Sequence, residues 1–89
     1  MNNLPGADLI NRGLLDLNNG RESVESLLVE IGAPRLRNLG IEILQVSARP
    51  EARLYAILAN KYADAHSRYN ALIRRLVSYE HALESALHR

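Results

Sequence analysis

The 89 residues contain no cysteine, no tryptophan and no phenylalanine, and only three prolines and five glycines. The lack of cysteine excludes disulfide frameworks, thiolate catalysis and cysteine-ligated zinc or iron–sulfur centres. No stretch approaches the ~20 consecutive apolar residues of a membrane-spanning helix, so no membrane partner is expected. The opening Met1-Asn2-Asn3-Leu4-Pro5-Gly6 carries neither the basic segment nor the apolar run of a secretory signal, which predicts a cytoplasmic location. There is no phosphate-binding P-loop, no Gly-rich dinucleotide turn and no nucleophile elbow. Ser23, Ser26, Ser47, Ser67, Ser78 and Ser85 stand in no catalytic motif. The chain is therefore read as non-catalytic and free of cofactors.

What is present is ordinary for a folded domain: 47% hydrophobic and 24% charged residues, which argues against disorder. A net charge of +1 predicts no general attraction to nucleic acid. The charge is unevenly spread. Residues 1–33 sum to −3 and residues 34–89 to +4, and ten of the eleven basic residues are arginine. An acidic front half can lie on a basic back half within one chain. Alternatively, the arginines can meet carboxylates or phosphates of a partner.

The pattern is helical throughout and predicts a single all-α domain over 1–89. Leu9, Ile10, Leu14 and Leu17 recur at helical spacing before Asn18-Asn19-Gly20, which predicts a first helix from Pro5 to Leu17. Ser23 is a good N-cap for a second helix bearing Val24, Leu27, Leu28 and Ile31, with Gly32 as its stop. Pro34 can open a short third helix carrying Leu36 and Leu39 and ending at Gly40. Ile41–Val46 is rich in β-branched residues, but a lone strand has no partner, so helix or irregular structure is expected there.

The C-terminal part carries the strongest signal. From Pro50 to Leu87 there is no further Gly or Pro. Apolar residues fall at Tyr55, Leu58, Tyr62, Ala65, Tyr69, Leu72, Leu76, Tyr79, Leu83 and Ala86, alternating by three and four. That heptad predicts one long helix over about 50–87, a rod of ~57 Å at 1.5 Å per residue. Such a rod outreaches a compact chain of this length, which spans about 30 Å. Either the helix stays whole and pairs as a coiled-coil-like homodimer, the favoured reading, or it bends near Ser67–Asn70 and folds back as a bundle. The assembly seam would be Tyr62, Tyr69, Leu72, Leu76, Tyr79 and Leu83. Lys61, Arg68 and Arg75 form a flanking stripe, and Arg74 stands on the outer ridge; these four are the candidate partner-binding residues.

Glu80, His81, Glu84 and His88 make the one tight acid–imidazole cluster. Exposed ion pairs near a helix C-terminus account for it better than a metal site. The expected function is a small helical adaptor, regulator or inhibitor that binds a larger protein and self-associates. The rival is a nucleic-acid-binding regulator, using the arginine face or a degenerate helix-turn-helix over 23–40.

Overall fold

The computed structural model describes residues 4–88 and contains four helices: α1 (Ala7–Asn18), α2 (Val24–Asn38), α3 (Pro50–Lys61) and α4 (Ala65–Leu87). Helix α2 packs against each of the other three, and α3 packs on α4. Its side chains Leu27, Leu28, Val29, Ala33 and Leu36 have no exposed surface and form the middle of the core. Ile10, Leu54, Leu58, Leu76, Tyr79 and Leu83 close around them.

Glycine does two different jobs. Gly20 and Gly40 follow α1 and α2 with φ of 68° and 95°, a backbone that L side chains rarely adopt. Each completes a Schellman stop. Gly20 and Arg21 donate to Leu17 and Asp16 carbonyls, and Gly40 and Ile41 donate to Arg37 and Leu36 carbonyls. Gly13 and Gly32 instead lie inside helices, Gly13 against the backbone of α2 and Gly32 against side chains of α4. A Cβ on Gly13 would stand 2.3 Å from the Glu25 carbonyl oxygen, and one on Gly32 would stand 2.8 Å from Leu76 Cδ1. These residues set the α1–α2 and α2–α4 spacings.

The start of α2 is a capping box built from two serines. Ser26 N–H donates to Ser23 Oγ (3.0 Å) and Ser23 N–H donates to Ser26 Oγ (2.8 Å). The Ser23 hydroxyl also donates to the buried Asp16 carboxylate (2.7 Å), tying α1 to α2.

Two sequence expectations are overturned. The predicted second and third helices are one, because α2 continues through Gly32, Ala33 and Pro34. An internal proline costs ~3 kcal/mol. Its buried stripe, however, runs across the site from Val29 to Ala33 and Leu36, while Pro34 itself faces solvent. Tertiary packing outweighs the lost hydrogen bond. With no turn inside it, residues 23–40 make no helix-turn-helix.

The predicted 50–87 helix is likewise two helices. Tyr62 (φ −135°, ψ 139°) is extended, and Tyr62-Ala63-Asp64 joins α3 to α4. The break falls earlier than the expected bend at Ser67–Asn70. Tyr55 and Tyr69 show its effect: fourteen residues of straight helix would separate them by ~21 Å, yet their ring centroids are 5.7 Å apart. The heptad folds back on itself about Tyr62. The longest dimension of the molecule is 42 Å.

Residues 41–47 are not helical. They retrace α2 backwards: Arg37 Nε donates to the Ile43 carbonyl (2.8 Å), and the Ser47 hydroxyl and N–H donate to Glu30 Oε1, the hydroxyl at 2.7 Å. Four residues of this strap thus run past two turns of α2, about 10.5 Å.

Candidate interaction groove

The hairpin break moves the predicted seam indoors. Leu76, Tyr79 and Leu83 are buried, while Tyr69 and Leu72 are half-buried against the core. Burial pushes the Tyr79 and Tyr69 hydroxyls up in pKa, with Glu51 adding to the effect on Tyr69. These side chains pack α4 against α2 and α3 within one chain. Tyr62, at the break, stays 40% exposed.

The same break gathers three of the four candidate partner-binding residues. Lys61 at the end of α3 and Arg68 and Arg75 on α4 line an open groove of about 670 Å³. Its floor is apolar, from Val24, Ile57, Leu58, Ala71 and Leu72. Its far lip is the first turn of α2 with Glu22, Ser23 and Glu25. Arg74 is not on this groove. It lines a shallower hollow of about 310 Å³ beside Pro5, Gly6 and Ser78, which Arg75 also borders.

The basic wall is held in place by local pairs. Arg68 Nε donates to Asp64 Oδ1 (2.9 Å), and that bond holds the exposed Asp64 carboxyl below its usual pKa. The Arg68 guanidinium also lies 3.7 Å over the Tyr62 ring. Arg75 donates to Asp8 Oδ1 (3.1 Å) across the α1–α4 contact. Among the described residues Lys61 makes no ion pair. On the opposite lip Glu22 is taken by Arg53, and Glu25 makes none. The groove is therefore polarised, cationic along α4 and anionic along the start of α2.

The half-to-half charge split is spent partly inside the fold, through Asp8–Arg75 and Glu22–Arg53. The acid–imidazole cluster is dispersed. Glu80 is buried beside Gly32, Glu84 pairs with Arg35 (2.9 Å), and His81 and His88 are exposed. Among the described residues no three such side chains are grouped to hold a metal ion. Val24, Glu25 and Ile57 were not expected at a site. Val24 and Ile57 pack against the core from other helices and Glu25 stands in the first turn of α2, and only tertiary packing sets them opposite the arginine stripe.

Fold and groove together define a class: an all-helical bundle with an open, charge-polarised groove between three helices. Set against family models, curated proteins and solved structures, the chain significantly matches none of them.

Proposed function

We propose that the protein is a non-catalytic interaction module that takes an acidic, amphipathic helix of a larger protein into the groove between α2, α3 and α4. The observation that carries this reading is the convergence of Lys61, Arg68 and Arg75 along one wall of an apolar floor. An incoming helix with apolar residues at i, i+3, i+4 and i+7 would cover Ile57, Leu58 and Leu72. Carboxylates flanking that stripe would meet the α4 wall, while the side facing Glu22 and Glu25 would be neutral or basic. The polarity gives the complex an orientation and penalises the reversed one by placing like charges together.

The test is fluorescence anisotropy with a labelled helical peptide bearing a leucine stripe flanked by glutamates, beside its lysine-flanked twin. The glutamate peptide is expected to bind and the lysine peptide not to. Arg68→Glu with Arg75→Glu is expected to weaken binding at least tenfold with the circular dichroism spectrum unchanged, because both side chains pair only with exposed carboxylates. Equal binding by the double variant would refute the groove. Stronger binding to a short duplex, falling steeply with salt, would replace it with a nucleic-acid reading.

A further inference from the structure

A further cavity, of about 650 Å³, lies between the end of α1, the first half of α2 and the strap, and shares only Glu22 with the groove. Leu14 and Leu17 line it from α1, and Ile43, Leu44 and Val46 line it from the strap. Its polar residues on α2 are Ser26 and Glu30, both buried. Ser26 is fully engaged, since its hydroxyl donates to the Ser23 carbonyl and accepts from the Ser23 N–H. Glu30, only 6% exposed, is not. Its Oε1 accepts both bonds from Ser47, whereas Oε2 accepts none among the described residues. No side-chain oxygen or nitrogen sealed from solvent lacks a partner among those residues. Oε2 is therefore an oxygen that opens on the cavity.

We infer that this cavity binds a small organic cation, a primary ammonium on an apolar body, with the ammonium on Glu30 Oε2. A carboxylate taken out of water keeps its charge at low cost only beside a cation or a full set of donors. Here Ser47 serves one oxygen, and no basic side chain among the described residues pairs with the other. Arg21, the one basic residue lining the cavity, is paired with Asp16 (3.6 Å). One arginine against Glu22, Glu30 and Glu42 leaves the lining at −2, which draws cations and repels anions. Glu22 is held by Arg53 and Glu42 is exposed, so Glu30 is the buried charge left to satisfy. A metal ion fits less well, because no three ligating side chains are grouped among the described residues. The leucine, isoleucine and valine walls suit an alkyl or aryl body, and the volume falls in the range of roughly 300–1,000 Å³ common to small-molecule sites.

Amide NMR at pH 7 with n-hexylamine, which is cationic there, beside n-hexanol and hexanoate reads both the charge and the place. n-Hexylamine is expected to shift the Ser47 amide, which donates to Glu30, in a saturable way. Hexanol and hexanoate are expected to bind at least tenfold more weakly. Amides of Ile57 and Leu72 in the groove are expected to stay in place. Glu30→Gln keeps an acceptor for Ser47 and removes the charge. Its circular dichroism spectrum is expected to match wild type, and its affinity for n-hexylamine to fall at least tenfold. Glu42→Gln, at an exposed position, is expected to lose less than about threefold. Hexanol binding to wild type as tightly as n-hexylamine, no saturable shift at Ser47, or a loss in Glu42→Gln equal to that in Glu30→Gln would each overturn the inference. The wild-type comparison decides the matter even where Glu30→Gln fails to fold.

Discussion

Replacing Gly13 with alanine tests how the bundle is spaced. On helix propensity alone the substitution should help, since alanine exceeds glycine by about 1 kcal/mol in a helix interior. At this position the new Cβ would lie 2.3 Å from the Glu25 carbonyl oxygen and 2.5 Å from Val29 Cγ2. The first of these is backbone in the opening turn of α2, held by the capping box at Ser23 and Ser26, so it cannot swing aside. Relief requires α1 to move off α2 by about 1 Å, loosening Ile10 and Ala7 in the core. Overpacking costs typically 1–3 kcal/mol, and a clash with backbone belongs at the top of that range. Offsetting ~3 kcal/mol by the propensity gain leaves a net loss of about 2 kcal/mol. For a domain of this size that lowers Tm by roughly 8–16 °C, read by circular dichroism at 222 nm, with a matching drop in urea midpoint at unchanged slope. An unchanged or raised Tm would mean that α1 is not seated on α2 as described.

Two further outcomes follow from the same structure. Pro34→Ala restores a main-chain donor inside α2 at a solvent-facing site and should raise stability by ~1–2 kcal/mol, the helix gain being reduced by the freer unfolded chain; a lower urea midpoint would show that the proline is unstrained there. Burial raises the Glu80 pKa despite the opposing charges of Arg35 and His81. Its unfolded form ionises first, so Glu80 favours the folded state when protonated and subtracts stability as pH rises through its folded pKa. Glu80→Gln should match wild type below about pH 4 and exceed its Tm at pH 7. A Tm advantage that does not grow with pH would sink this account.

The sequence made the cap of α2 and the proline opening of α3 legible, because they rest on the local chemistry of Ser23 and Pro50; α1 was expected from Pro5 but begins at Ala7, after Gly6 in the left-handed region. Gly32 misled where Gly20 and Gly40 did not. All three are glycines after an apolar run, and only the neighbouring Leu76 distinguishes a contact glycine from a stop. Of the heptad of 55–86, Leu58, Ala65, Leu76, Tyr79 and Leu83 are buried within one chain, while Tyr55 and Tyr62 stay exposed. A hairpin folded about Tyr62 buries most of that column, and neither Gly nor Pro marks the fold point. The seven-residue repeat singled out Lys61, Arg68 and Arg75, which the fold brings to one groove. The facing lip was not legible, since residues from α2 meet them only in three dimensions.

The order of the helices also bears on how quickly the chain finds its shape. Helices α1 with α2, and α3 with α4, meet across connections of five and three residues, so two hairpins can assemble from neighbours alone. The packing of α2 on α3 and on α4, with the pairs Asp8–Arg75, Glu22–Arg53 and Arg35–Glu84, joins the two hairpins. Helical hairpins closed by such short connections are the local contacts that speed folding. Gly32, where a Cβ would meet the Leu76 side chain, lets the two hairpins approach closely when they dock.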